Sequence, residues 1–271
     1  MNQRETPPEY VAARAVLLDA LLALNAHLDA IVLVGAQAVY LHTGDCDLGV
    51  APTTTDADIA LSPDRLAETP ALEDALQKAG FVRGNQPGTW HGAGTIAIDL
   101  MVPESLCPPG GRRGVRLLGH DKHATRRTLG LEPAVVDNAR HRLSALDPSD
   151  TRAMDLRVAG PAALIIAKVI KIEERREEPL RLKPKDGLDV LRLLRSVDMP
   201  VVAERLRLLS QDPMSGVVTS QAIDALRRDG SSASGLIARL AATAVGEDWD
   251  TVVQSVASLA AELLELVDSQ S

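Results

Sequence analysis

At Gly160-Pro161 the chain changes character. Before that point, short β-branched runs punctuated by glycine and proline alternate with helical stretches. After Ala162 nearly every segment carries helical periodicity. Proline fits the first turn of a helix, where its missing N–H has no helical partner. The periodicity predicts helices over 161–178, 185–196, 200–210, 219–229, 233–245 and 249–268. The expected organisation is an α/β (α+β) domain with a mixed sheet over residues 1–158, followed by an all-α domain over 159–271. A chain of 271 residues can bury a core in each. Aromatic residues make up only 2%, so those cores must be built from Ala, Leu, Val and Ile, which disfavours an aromatic-rich β-sandwich.

Within the first part, Pro7-Pro8 opens a predicted helix from Glu9 to about His27. The run Ile31 to Val34 reads as a buried strand that ends at Gly35, with a helix from Ala36 to Leu41 and a loop from Thr43 to Pro52. A strand is expected over Thr54 to Leu61 and a helix from Asp64 to Ala79, stopped by Gly80. Short strands follow at 81–83, 89–91 and 95–102, then a loop at 107–114. Residues 115–157 show weak periodicity, read as short strands with one helix. The formal charge of −8 argues against holding nucleic acid by bulk electrostatics. Two cysteines, Cys46 and Cys107, are too few for a disulfide framework. No leader-like or membrane-spanning run is visible, so the expectation is a soluble, cytoplasmic protein.

The chemistry concentrates in Thr53 to Leu61, which reads TTTDADIAL. Side chains on a strand alternate faces, so Asp56 and Asp58 share one face, while Ala57, Ile59 and Leu61 point to the other. Two carboxylates side by side repel unless a cation lies between them. Mg²⁺ suits such a pair, because it takes a few carboxylate oxygens together with phosphate oxygens. Asp99 is the lone charge in the apolar strand from Ile96 to Val102 and is costly to bury unpaired. If its strand neighbours the first, all three carboxylates can gather around metal. The plain alternatives are a solvated Asp-x-Asp pair and an edge-strand Asp99 paired with an arginine. Gly35-Ala36, at a strand-to-helix turn, offers backbone N–H groups to a phosphate chain.

This ordered set resembles the polymerase-β-type nucleotidyltransferase superfamily: Gly35-Ala36 at the turn, the Asp56/Asp58 pair, then Asp99 on a later strand. Ala36 stands where that pattern usually has Gly or Ser, which removes a side-chain hydroxyl and leaves backbone contact. Asp56 follows Gly35 by 21 residues, an interval longer than in many members. In the second part, LIIAKVIKIEERREEPLRLKPKDGLDVLRLL resembles the helical hallmark of the AbiEii/MenT-like nucleotidyltransferases, toxins of type IV toxin–antitoxin and abortive-infection systems. Read alone, Lys168, Lys171 and Arg175 form a cationic stripe, either a solvated face or a phosphate clamp. Asp186 and Asp189 share a face of the next helix, where acidic residues also suit the helix dipole.

The resemblance implies a nucleotidyltransferase-type fold and Mg²⁺-dependent transfer of a nucleoside monophosphate from an NTP to an acceptor. Asp56, Asp58 and Asp99 would hold metal, and Asp99 would also help activate the acceptor. Gly35, Ala36, Lys168 and Lys171 would bind the nucleotide. Asp186 would stand at the rim as a base or positioning group, supported by Lys185 and Asp189. The implied setting is a toxin–antitoxin or phage-defence pair, with a tRNA 3′ end as acceptor and an antitoxin protein as partner. Two alternatives stay open: transfer to a small molecule or a protein hydroxyl, and a non-catalytic module that binds nucleotide or a partner. Residues 110–142 are locally basic, with eight cations against three acids, which reads as a solvated face or an RNA guide. His120 and His123 lack a second ligand pair for zinc.

Overall fold

The computed structural model describes residues 6–44, 46, 48, 50–109 and 113–269. It divides into two compact units: Met1–Ala38 with Ala51–Ala159, and Val39–Val50 with Gly160–Ser271.

In the first unit, α1 (Pro8–Ala23) starts with proline in its first turn and buries Val16, Leu17 and Leu21. It ends before the expected His27, because Asn25–Ala30 tightens into a 3₁₀ turn that delivers the chain to β1 (Ile31–Val34). All four residues of β1 are buried, which explains its unbroken apolar sequence. Next come α2 (Gly35–Thr43) and β2 (Asp56–Leu61). The helix expected from Asp64 begins only at α3 (Leu72–Lys78). Pro70 accounts for the delay, since it lacks an N–H and drives Thr69 out of helical geometry. Four strands follow: β3 (Val82–Arg83), β4 (Thr89–His91), β5 (Ala97–Pro103) and β6 (Arg126–Thr128). The short α4 (Glu132–Val136) leads into β7 (Asn138–Ser144) and β8 (Ala153–Ala159). The last two strands pair antiparallel from Asn138↔Ala159 to Ser144↔Ala153, inside the stretch whose periodicity is weakest.

The strands form one mixed sheet in the order β3-β4-β5-β2-β1-β8-β7. β1 runs antiparallel to β2 and parallel to β8, while β2 runs parallel to β5. β4 and β6 share one side of β5, β4 along its start and β6 along its end. The core contains Leu17, Leu21, Leu33, Ile59, Leu72, Leu76 and Trp90, all fully buried. The Trp90 indole N–H donates to the Ala124 carbonyl at 3.0 Å, so this rare aromatic is polar-satisfied inside.

The second unit is helical: α5 (Pro161–Glu173), α6 (Pro184–Ser196), α7 (Met199–Gln211), α8 (Gly216–Asp229), α9 (Leu236–Val245) and α10 (Trp249–Asp268). The first of these stops short of the expected residue 178, ahead of Pro179. Gly187 lets α6 approach α9 closely, because a Cβ there would lie 2.6 Å from the Ala241 nitrogen. The segment Val39–Val50 groups with these helices through Arg192, which is fully buried. Its Nη1 donates to Cys46 Sγ at 3.2 Å, its Nη2 donates to the Val50 carbonyl, and the guanidinium stands 5.5 Å from the centre of the Tyr40 ring. Among the described residues no helix is long and apolar enough to cross a membrane.

Candidate active site

β2 alternates as its sequence requires. Asp56 and Asp58 are half-buried, whereas Ala57 and Ile59 are buried in the core. Register then brings in the third carboxylate. Asp58 lies directly across from Asp99 on β5, and on its other side it faces Val34, the last residue of β1. Residues paired in register share a face, so Asp56, Asp58 and Asp99 lie on the same side of the sheet.

Gly35, the next residue after Val34, closes the same corner. Its φ is +69°, and a Cβ built on it would lie 2.1 Å from Asp58 Oδ2. Glycine is therefore required twice, for the left-handed backbone and for the approach to the carboxylate. Ala36 is 6% exposed, and the following Gln37 is buried.

Asp56 and Asp99 are held by different neighbours. Asp56 Oδ1 accepts the Thr54 hydroxyl at 2.6 Å. The Asp56 backbone carbonyl accepts from Gln37 Nε2 at 3.2 Å, and Gln37 Oε1 accepts from Arg14 Nε at 2.8 Å. Arg14 is itself buried on α1 and also donates to the Ser144 carbonyl and the Tyr10 hydroxyl, each at 2.9 Å. A chain of buried and part-buried hydrogen bonds thus ties α1 and β7 to the first strand of the site. Asp99 is engaged through both oxygens. Its Oδ1 accepts the Thr89 hydroxyl and its Oδ2 accepts Arg126 Nη2, both at 2.6 Å.

The Asp99–arginine pairing is thus real, but it sits on an interior strand, not at an edge. Three carboxylates on one sheet face are hard oxygen donors, the kind of group that Mg²⁺ takes. Among the described residues no three His, Cys, Asp or Glu groups converge as a ready metal cage.

Within the helical unit, Lys168, Asp186 and Asp189 form a buried ion cluster. Lys168 Nζ lies 2.6 Å from Asp189 Oδ2 and 3.2 Å from Asp186 Oδ1. Arg175 Nη1 reaches Asp186 Oδ2 at 3.1 Å, and Lys171 Nζ lies 3.7 Å from its Oδ1. Burial works against the charged Asp186 carboxylate. Lys168, Lys171 and Arg175 outweigh it and hold the carboxyl below the usual carboxylate range. The expected cationic stripe is therefore neither a solvated face nor open along its length: Lys168 is 5% exposed, and only Lys171 keeps substantial exposure. Asp186, expected at a rim, is instead 3% exposed, because its helix turns that face into the unit's interior.

Sequence reasoning missed Thr89, Thr54 and the Arg14–Gln37 pair, and it counted Arg126 only among surface cations. Thr89 could have been found from strand pairing, since it lies opposite Asp99 across a hairpin. Several other arginines of the basic stretch bind neighbouring groups: Arg113 meets Gln86, Arg140 meets Asp29 and Arg142 meets Asp155. Arg112 lies outside the described residues. His120 is spent on structure, accepting the Leu72 N–H on Nδ1 and donating from Nε2 to the Ala67 carbonyl.

No protein-family model matches the chain, and no curated protein sequence matches it. Among solved structures it is similar to an antigenic nucleotidyltransferase-like protein from Paracoccidioides brasiliensis. The identity is 16% and the TM-score 0.39, over 81% of this chain and 89% of that one.

Proposed function

We propose that the first unit carries a Mg²⁺-dependent nucleotidyl transfer site and that the chain acts as a toxin of the AbiEii/MenT-like kind, with a tRNA 3′ end as acceptor and an antitoxin as partner. One observation supports the transfer site: Asp58 and Asp99 are register neighbours on one sheet face, with Asp56 two residues along and the Gly35 turn pressed against Asp58. Asp56 and Asp58 would hold the metal, with Asp99 completing the set. The metal would neutralise charge on the triphosphate and on the leaving group. Backbone N–H groups at Gly35-Ala36 would meet phosphate oxygens. The acceptor hydroxyl oxygen bonds to the α-phosphorus as the bond to the β-phosphate oxygen breaks, and pyrophosphate leaves. The hydroxyl proton passes to Asp99, which must first be free of Arg126. Lys168, Asp186 and Asp189 enter this reading as the framework of the helical unit.

A second reading, nucleotide binding without turnover, draws on Asp99, both of whose oxygens are already engaged. The two readings separate when purified protein is incubated with each α-labelled NTP, Mg²⁺ and total tRNA, beside Asp56→Ala and Asp58→Ala. Label on RNA that both substitutions abolish supports transfer. Nucleotide binding with no label on RNA, protein or small alcohols supports the second reading.

A further inference from the structure

The Arg126–Asp99 pair has the form of a contact made to be exchanged. Arg126 lies on β6, whose pairing with β5 fixes its backbone opposite Met101, and its side chain reaches back along β5 to Asp99. Only one of its nitrogens, Nη2, meets the carboxylate, and the same atom lies 3.3 Å from Met101 Sδ. Its Nε is buried without a hydrogen-bond partner. A guanidinium engages a carboxylate best as a fork, through two parallel bonds, and this one forgoes half of that geometry. The pair is also partly open to solvent, with side-chain exposures of 33% for Arg126 and 20% for Asp99. The contact is therefore a single, partly exposed bond, holding a carboxylate whose neighbour in register is another acid. Thr89 is no obstacle to a cation, because a carboxylate oxygen accepting one hydroxyl proton keeps a lone pair for a metal. Arg126 differs, since its positive charge stands 2.6 Å from Oδ2 and would repel a divalent ion at that oxygen.

Resting on the metal-site reading above, we propose that Arg126 is a resident counter-ion of Asp99 that competes with the divalent cation. Asp56 and Asp58 are the standing part of the metal site, and Asp99 joins only when Arg126 lets go. Arginine and metal are alternative partners of one carboxylate, so the exchange makes completion of the site depend on metal loading. Arg126 is a positioning residue in this scheme: it sets when Asp99 is available.

The test is Mn²⁺ titration of the full chain without nucleotide, reading free Mn²⁺ by electron paramagnetic resonance. The proteins are wild type, Arg126→Gln, Arg126→Lys, Asp99→Asn and the Arg126→Gln/Asp99→Asn double variant, each checked for native circular dichroism. Removing the competitor should tighten Mn²⁺ binding by about two- to fivefold in Arg126→Gln, the range open to a partly exposed ion pair. Arg126→Lys, which keeps the charge, should stay near wild type. The gain should vanish when Asp99 is already Asn, because nothing is left to compete for. Unchanged or weaker binding by Arg126→Gln, or a gain that persists beside Asp99→Asn, overturns the counter-ion role while leaving the metal site standing. Absence of Mn²⁺ binding by wild type and Arg126→Gln alike would overturn both the counter-ion role and the metal reading beneath it.

Discussion

Gln37→Leu should destabilise the first unit by about 2–4 kcal/mol, although it changes side-chain volume little and removes no bond to a carboxylate of the site. Gln37 is 1% exposed and joins two otherwise separate groups. Its Oε1 is the acceptor for Arg14 Nε at 2.8 Å, and its Nε2 is the donor to the Asp56 carbonyl at 3.2 Å. Burial already pushes the Arg14 guanidinium below its ordinary pKa, against the favourable pull of Tyr10, so the cation is costly where it stands. Losing one acceptor from a buried charged donor costs about 1.5–3 kcal/mol, and the weakened Asp56 carbonyl adds about 0.5–1. Arg14→Met should cost a similar amount, because it strands Gln37 Oε1 and the Ser144 carbonyl inside. Combining the two should cost clearly less than their sum, since the partners vanish together and apolar groups fill their place. Urea unfolding followed by Trp90 fluorescence in a Trp249→Phe background isolates this unit, because Trp90 is buried there. The midpoint should fall with an unchanged slope. Single variants within 0.5 kcal/mol of wild type, roughly the range of ordinary surface changes, would refute the reasoning, and so would an additive double variant.

Lys168→Met should cost the helical unit about 3–5 kcal/mol in chemical denaturation, since it leaves Asp186 and Asp189 buried beside each other, whereas Lys171→Met should cost under about 1. Gly35→Ala should abolish nucleotidyl transfer on labelled RNA and lower thermal stability, because its Cβ would drive the Asp58 carboxylate out of place. His27 is fixed by the Pro70 carbonyl at 2.9 Å, and burial, with a smaller push from His120, holds its imidazole below the ordinary value of 6.5. Its contribution to stability is therefore fully present above pH 6.5 and is lost as pH falls toward the lower folded value, so thermal midpoints should drop from pH 7 to 5 and flatten in His27→Gln.

What the sequence disclosed, and what it withheld, follows from the range of the forces involved. The strand at Asp56–Leu61 was legible because alternation is a local property, and one buried face writes itself into every second residue. The helices after Gly160 were legible for the same reason, with a period of 3.6. The helix expected from Asp64 was not, since a single proline outweighed a favourable composition around it. β7 and β8 were legible only as short strands without bounds, because most positions of β7 are polar and exposed and its register is set by its pairing with β8.

The candidate site divides along the same line. The three aspartates are conspicuous in sequence because a charge inside an apolar strand demands a reason. Their partners are inconspicuous because each is an ordinary residue in ordinary surroundings. Thr89 and Arg126 lie 10 and 27 residues from Asp99, and only the placing of β4 and β6 along one side of β5 makes them its neighbours. Lys168 shows the reverse case. A stripe of cations at helical spacing looks like an outward-facing clamp until the next helix presents Asp186 and Asp189 to it. Which of two oppositely charged faces meets solvent is decided by packing, and the spacing of charges along either helix is the same in both outcomes.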